Sequence, residues 1–324
     1  MPLLNAQYKP GWLFKNGHVN TLFPYLFRKK PSLSFIRERI DTPENDFFDV
    51  DWIHKDKNSK LVILMHGLEG SSASQYINGI SRLLVANKYT VAAINFRSCS
   101  GELNRTVEMY HSGFTKDLHH FLTIHGVHYT DVFICGFSLG GNVTLKYAGD
   151  GFFTVPPNIR AVVGISVPID LQGGSYELKK WYNQMYEKQF LYTLLPKMKQ
   201  KHQMMPDKID ISHLHKVKTL WDFDEYFTAK LHGMIDANDY YNTCSSLQHL
   251  NKIRVPTLLI NALDDSFLSP TCYPYDIAQS SDIFHLMTPK HGGHVGFTSF
   301  GKDYYWTELK VLEFLQSHLS DKKQ

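Results

Sequence analysis

Residues 132–142 of this 324-residue chain read VFICGFSLGGN. An apolar, β-prone run leads into Gly136-Phe137-Ser138-Leu139-Gly140, and the residues that follow favour a helix. This succession of strand, Gly-x-Ser-x-Gly and helix is the pattern of a nucleophile elbow, a sharp turn that lifts the serine hydroxyl above the edge of a sheet. Gly136 and Gly140 suit the turn because residues without a Cβ tolerate its close backbone approaches.

Strands and helices are predicted to alternate on both sides of this turn. Apolar runs predict strands at 34–41, 47–54, 61–65, 90–95, 131–135, 160–167, 257–261 and 283–287, the first two antiparallel, and helices at about 74–87, 115–125, 139–148 and 303–318. The alternation is typical of the α/β class, with a mostly parallel eight-stranded sheet and helices on both faces. Loops at the carboxyl ends of such strands are where functional residues are expected.

Two segments depart from this rhythm within a single predicted domain, residues 1–324. Residues 1–33 contain four prolines and are predicted to form an irregular arm packed across the domain, with His18 as a candidate site residue. Residues 170–248 are predicted to form a helical cap inserted into the domain. The cap is rich in methionine and aromatic residues, which are typical of ordinary packing, although some could line a substrate pocket: Trp181, Tyr182, Met185, Tyr186, Phe190, Met198, Met204 and Met205.

A serine becomes an effective nucleophile when a base removes its proton and an acid orients that base. With this turn type the expected chain order is serine, acid, histidine. Asp265 is the preferred acid because it enters the loop a few residues after the strand at 257–261, whereas Asp264 would brace that loop. His294 is the preferred base because glycines flank it on both sides. His291 and His285 are the alternatives, the first in a surface loop and the second inside a strand.

Two backbone N–H groups are needed to stabilise the oxyanion that forms when the serine attacks a carbonyl. The N–H of Leu139, directly after Ser138, is one candidate. The N–H of Leu68, in the loop after the strand at 61–65, is the other. In this interpretation His66 and Gly67 shape the loop, and the His66 side chain braces it through hydrogen bonds.

Charge and motif content argue against several other function classes. The net charge is only +3, from 34 basic and 31 acidic residues, and no basic stripe with interleaved aromatics indicates nucleic-acid binding. His119, His120, His125 and His128 lack the cysteine and carboxylate neighbours of a metal site. The glycine-rich loops match neither a phosphate-binding nor a dinucleotide-binding fingerprint, so neither a metal nor a cofactor is expected.

The chain contains no pattern that directs it to or through a membrane. No run approaches the ~20 apolar residues of a bilayer span, so no integral membrane segment is expected. The first ten residues lack the apolar core of a signal peptide. The four cysteines are scattered, which favours reduced thiols and a cytoplasmic protein.

Seven short stretches together resemble the YheT-like α/β-hydrolases, a group that includes eukaryotic α/β-hydrolase domain-containing lipases and the yeast ethyl-ester synthase/esterases. They cover nearly the whole chain: Asn16-Gly17-His18 through Thr21-Leu22, His66 to Ser71, Asn95-Phe96-Arg97 with Ser100-Gly101, Tyr110 to Gly113, Gly136 to Asn142, Asp264-Asp265, and Gly292 to Phe297. Eukaryotic members often begin with a membrane anchor, and its absence favours a soluble bacterial-type esterase.

The resemblance implies the α/β-hydrolase fold and a triad of Ser138, Asp265 and His294. It also implies hydrolysis of lipid-like or short acyl esters, or acyl transfer from such esters to alcohols. The leading hypothesis is therefore a serine carboxylesterase. An alcohol acyltransferase and a lipid or phospholipid lipase are the alternatives, because transfer and hydrolysis differ only in the acceptor of the acyl group. A non-catalytic ligand-binding protein on the same scaffold is the hypothesis from another class.

Overall fold

Eight strands form one sheet in the computed structural model, which describes residues 3–29, 33–55 and 58–320. The strands are β1 Ile36–Asp41, β2 Phe47–Ile53, β3 Lys60–Met65, β4 Thr90–Asn95, β5 Asp131–Phe137, β6 Ile159–Ile165, β7 Thr257–Ile260 and β8 Phe284–Met287. Their spatial order is β1-β2-β4-β3-β5-β6-β7-β8. Strand β2 is antiparallel to β1 and β4, and the other neighbouring pairs are parallel. The predicted mostly parallel eight-stranded sheet is confirmed.

Helices cover both faces of the sheet. The α-helices of the described ranges are α1 Gly17–Phe27, α2 Gln75–Ala86, α3 Lys116–Ile124, α4 Leu139–Gly149, α5 Leu171–Leu178, α6 Gln184–Met204, α7 Leu220–Phe223, α8 Ala229–Leu231, α9 Ala237–Cys244, α10 Tyr275–Ser280 and α11 Trp306–Ser317. Side chains alternate across a strand, so Ile63 packs with α3, α4 and α10 on one face. Its neighbour Val62 packs with α2 and α11 on the other.

Five helices, α5 to α9, lie between β6 and β7, where the helical cap is predicted. Helices α7 and α8 flank a π-helical turn, Asp224–Thr228. Leu191, Leu194 and Met198 of α6 pack with α7 and with Met109 into a small core of their own. The domain limits and the cap boundaries at 170 and 248 remain predictions.

The N-terminal arm is partly helical, contrary to the prediction of an irregular segment. Helix α1 begins at Gly17, where the Asn16 side chain accepts a hydrogen bond from the N–H of Val19. Pro24 lies inside the helix and is buried against the domain. The four prolines suggested irregular structure, but the cap at Asn16 and long-range packing outweigh them. Residues 1–2 and 30–32 of the arm lie outside the described residues.

Candidate active site

Ser138 occupies the turn between β5 and α4. Its backbone has φ 52° and ψ −120°, a conformation that costs energy for a residue with a side chain and is typical of functional turns. A Cβ at Gly136 would collide with the carbonyl oxygen of Gly140, and one at Gly140 with the carbonyl oxygens of Met65 and His66. These two glycines therefore let β5, α4 and the β3 loop meet at the serine.

Three sequence-predicted residues meet at the carboxyl edge of the sheet. His294 Nε2 lies 2.9 Å from Ser138 Oγ, and His294 Nδ1 lies 2.8 Å from Asp265 Oδ2. The Asp265 side chain is fully buried, and its Oδ1 accepts the N–H of Phe267 at 3.0 Å. A carboxylate at Nδ1 requires the proton on that nitrogen, which leaves Nε2 free to accept a proton from Ser138.

The alternative acid and bases lie elsewhere. Asp264 Oδ1 accepts the N–H of Gly293 at 2.8 Å, and its Oδ2 lies 3.4 Å from His291 Nδ1. Burial raises the pKa of this carboxyl. His285 lies within β8 and its ring contacts Phe314. Asp264 and His291 therefore brace the loop that holds His294, whereas the sequence predicts that Asp264 braces its own loop after β7.

The loop after β3 approaches the serine closely. A Cβ at Gly67 would lie 3.2 Å from Ser138 Cβ. Within the described ranges, the N–H groups of Leu68 and Leu139 have no hydrogen-bond acceptor. Both residues also line one cavity. Two unpaired N–H groups beside a serine are the arrangement that an oxyanion requires.

His66 ties this loop to the end of β4. Its Nδ1 lies 2.7 Å from the carbonyl oxygen of Gly67, and its Nε2 accepts the N–H of Phe96 at 3.1 Å. These partners require a neutral ring with its proton on Nδ1. Burial lowers the pKa of His66 to about 4, which keeps the ring neutral.

Several supporting residues escaped the sequence analysis. Thr21 Oγ1 of α1 accepts the N–H of His294 at 2.8 Å, and Asn20 Oδ1 accepts the N–H of Thr298 at the same distance. The ring of Phe267 stacks on His294 with centroids 4.2 Å apart. The polar residues between Asn16 and Leu22 were the available signal for α1, whereas Phe267 has no distinctive sequence context. His18 Nδ1 lies 3.1 Å from the Tyr186 hydroxyl of α6, and within the described ranges it makes no hydrogen bond to Ser138.

A polar network joins the cap to the β3 loop. Lys197 Nζ of α6 lies 2.8 Å from Glu69 Oε1. The hydroxyl of Tyr110 donates to that same carboxylate oxygen at 2.7 Å and accepts the N–H of Glu69 at 2.9 Å. Glu69 directly follows Leu68 and has a φ of 55°. The cap therefore helps to fix the loop that presents the Leu68 N–H.

A narrow cavity of about 80 Å³ lies beside Leu68 and Leu139. Its lining combines apolar side chains, mostly from the cap, with histidine, tyrosine and carboxyl groups: Met109, Leu194, Leu220, Phe223, Leu231, His111, His232, Tyr240 and Asp224. The His111 and His232 rings are 4.3 Å apart. Burial lowers the pKa of His232 to about 4, so this ring is neutral at pH 7. Burial raises the pKa of Asp224 to about 6, so this carboxyl is ionised at pH 7 but takes up a proton in mild acid.

The predicted cap residues do not line this cavity. Tyr186 and Met198 are buried in packing contacts, whereas Trp181 and Tyr182 line an open groove beside Asp265. Leucine and phenylalanine side chains of the cap take the lining position instead. In the part of the chain that the structure describes, no helix combines the length and apolar character needed to cross a bilayer.

Comparison with known proteins agrees with this architecture. Residues 60–299 match the family model described as alpha/beta hydrolase fold. The chain belongs to the α/β-hydrolase family. YheT of Escherichia coli strain K12, which carries the provisional name of an esterase, is 31% identical to this hydrolase over 98% of this chain and 95% of its own. The predicted resemblance to YheT-like hydrolases is therefore confirmed.

One further relative and one solved structure are similar to this α/β-hydrolase. The phospholipase ABHD3 of Bos taurus is 29% identical over 91% of this chain and 74% of its own. The esterase Pf2001 of Pyrococcus furiosus has a solved structure with a TM-score of 0.60, at 16% identity over 98% of this chain and 99% of its own. At that identity the likeness to Pf2001 concerns the fold alone.

Proposed function

We propose that this protein is a serine carboxylesterase in which Ser138 is the nucleophile, His294 the general base and Asp265 the orienting acid. The observation that carries the proposal is the unbroken contact chain from Ser138 Oγ through His294 to Asp265, at 2.9 and 2.8 Å. Relatives named as an esterase and a phospholipase support the ester class. The hydrogen-bonded Ser138, His294 and Asp265 side chains and the strained backbone of Ser138 support catalysis over non-catalytic binding.

The proposed reaction has two halves. Ser138 Oγ attacks the ester carbonyl carbon while His294 Nε2 takes the hydroxyl proton. The carbonyl oxygen becomes an oxyanion held by the N–H groups of Leu68 and Leu139, and His294 then returns the proton to the departing alcohol. Water attacks the resulting acyl-enzyme with His294 again as base, and the acid leaves as Ser138 regains its proton. Asp265 stabilises the imidazolium in both halves.

The cavity beside the two N–H groups is the proposed acyl site. Its volume of about 80 Å³ accommodates roughly five to eight water-sized groups, and a methylene is of similar size. We therefore expect short to medium acyl chains, from butanoate to octanoate, to be preferred over palmitate. Hydrolysis of phospholipids is the second candidate, favoured by the 29% identity to the phospholipase ABHD3. Transfer of the acyl group to an alcohol would use the same acyl-enzyme.

Hydrolysis of p-nitrophenyl esters from acetate to palmitate tests the proposal. Ser138→Ala is expected to lower kcat by about 10⁴-fold or more, and Asp265→Asn by about 10⁴-fold because the ring then adopts the wrong tautomer. Asp264→Asn is the matched control and should stay close to wild type. If no ester is hydrolysed and a fluorophosphonate probe does not label Ser138, the esterase assignment is wrong.

A further inference from the structure

Helix α1 leaves apolar residues exposed at its C-terminal end. It buries Asn20 and Pro24, whereas Tyr25, Leu26 and Phe27 are exposed. Leu26 and Phe27 expose 61% and 66% of their surface. A helix on the surface of a water-soluble domain normally buries its apolar stripe and exposes its polar one. The exposure of Tyr25, Leu26 and Phe27 therefore requires an explanation outside the domain core.

The apolar face extends beyond the helix. Ring contacts join Phe23 of α1 to Phe14, Phe27 and Phe300, with centroids 4.9, 5.2 and 6.0 Å apart. The exposed apolar side chains of this region define what is called here the α1 surface: Trp12, Leu13, Tyr25, Leu26, Phe27 and Phe300. Trp12 is 84% exposed. Contiguous exposed apolar groups of this kind mark interaction sites.

The segment that carries most of the α1 surface is basic in sequence, although two of its basic residues pair with carboxylates from elsewhere in the chain, Arg28 with Glu308 and Arg37 with Asp51. Residues 1–37 hold six of the 34 basic residues and none of the 31 acidic ones, which leaves the rest of the chain with more acidic than basic groups. Lys9, Lys15 and Lys29 are exposed, and none of the three has an ion pair within the described ranges. Asp303, which lies three residues after Phe300 in the sequence, is an acidic residue near this surface, and it is paired with Arg82.

Exposed tryptophan, tyrosine, phenylalanine and leucine side chains with unpaired lysines in the flanking segments are the composition of a surface that lies in a lipid interface. We propose that the α1 surface docks this protein onto an anionic lipid surface, with the aromatic and leucine side chains entering the headgroup boundary and the lysines contacting anionic headgroups. A protein partner would not need this excess of positive charge. Docking does not depend on the proposed esterase function, because the surface is built from residues outside the candidate triad.

Vesicle flotation with the full chain tests docking. Vesicles of phosphatidylcholine with one-third phosphatidylglycerol should carry the protein upward, and vesicles of phosphatidylcholine alone should do so more weakly. Binding should weaken from 0.05 to 1 M salt because the screening length falls to about 3 Å. Replacing Lys9, Lys15 and Lys29 together by glutamine should reduce binding on the order of 100-fold at low salt, since each lysine contributes about fivefold.

A matched pair of variants distinguishes vesicle binding through the α1 surface from nonspecific binding through any exposed apolar residue. Leu26→Glu with Phe27→Glu should lower vesicle binding at least about tenfold. Phe152→Glu changes a similarly exposed residue, 72% accessible. Phe152 follows the C-terminus of α4 and therefore lies at the amino edge of the sheet, opposite the edge that carries Ser138. The Phe152→Glu variant should bind like wild type, as should Ser138→Ala, so failure of docking and failure of the esterase proposal are distinguishable. Circular dichroism confirms that each variant is folded.

Two kinds of result would overturn the proposal. One is wild-type protein that does not float with anionic vesicles at low salt, or a Leu26→Glu and Phe27→Glu variant that floats as well as wild type. The other is dimerisation of the wild-type chain in vesicle-free buffer, measured by light scattering, if the Leu26→Glu and Phe27→Glu variant no longer dimerises. In the second case the α1 surface is a contact between two copies of the chain.

Discussion

His66 offers a sharp test of how the β3 loop is held. The ring bridges the Gly67 carbonyl and the Phe96 N–H, and its replacement by leucine keeps much of the volume but removes both hydrogen bonds. The Gly67 oxygen would still accept the N–H of Gly70 at 3.0 Å, whereas the buried Phe96 N–H would have no acceptor. An orphaned buried donor costs about 1–3 kcal/mol, and the lost Gly67 bond adds about 1 kcal/mol.

His66→Leu should therefore lower the free energy of unfolding by about 2–4 kcal/mol, measured by urea denaturation at pH 7. If Leu68 donates to the oxyanion as proposed, the loosened loop should also lower kcat by about 10- to 100-fold. KM should change little, because the oxyanion forms only in the transition state. Steady-state hydrolysis of p-nitrophenyl butanoate gives both constants.

Two conservative variants divide the effect of His66. His66→Asn places an amide N–H near the position of Nδ1 and can keep the bond to Gly67, whereas His66→Gln reaches toward Phe96. His66→Asn should retain more activity than His66→Gln, because the bond it keeps is to Gly67, the residue directly before Leu68. His285→Leu, on β8 and away from Ser138, is the histidine control. A His66→Leu enzyme that is destabilised but keeps the wild-type kcat would refute the positioning role.

Three further predictions concern the surroundings of the site. Thr21→Val should lower kcat several-fold, with recovery in Thr21→Ser, because the His294 N–H loses its acceptor. Lys197→Met should lower stability by roughly 3 kcal/mol and reduce kcat, with Lys197→Arg closer to wild type, because Glu69 is then left buried without its cation. His66 should make the fold less stable in acid, because between pH 6.5 and 4 the unfolded state binds more protons than native His66, whose pKa is about 4. The contribution of His66 to the free energy of unfolding therefore falls by about 3 kcal/mol as the pH drops through that window. Urea titrations at several pH values should show that the free energy of unfolding of His66→Gln depends less steeply on pH than that of the wild type.

The sheet could be predicted because each strand is a local apolar run. The predicted strands at 61–65 and 90–95 agree with β3 and β4 to within one residue. Helix α1 could not be found this way, because its stability comes from distant partners. Asn20 bonds to Thr298, 278 positions away, and no local pattern records such a contact. The π-helical turn at Asp224–Thr228 has no sequence signal either.

The candidate site was predictable for a related reason. Ser138 and His294 are 156 residues apart, but a parallel sheet brings the loops after its strands to one edge, so strand ends alone placed them together. The supporting contacts were not predictable. Lys197 belongs to a helix whose docking on the β3 loop depends on the tertiary structure, and its partner Glu69 resembles any other loop carboxylate in the sequence.

The two adjacent aspartates hold the histidine loop from different sides. Asp265 contacts the His294 ring, whereas Asp264 accepts the N–H of Gly293, which directly precedes His294. An asparagine at 264 keeps an oxygen acceptor for that N–H, but an alanine does not. Asp264→Asn should therefore keep kcat within about twofold, whereas Asp264→Ala should lower it about tenfold by misplacing the loop.

At position 265 the order of severity changes. Asparagine can offer its amide N–H to Nδ1 and so hold the ring in the wrong tautomer, which makes Asp265→Asn as harmful as Asp265→Ala or worse. The kcat values of the asparagine and alanine variants at 264 and 265, measured on one ester, test both orders of severity. Equal losses for asparagine and alanine at 264 would mean that Asp264 acts through its charge and not as a backbone acceptor.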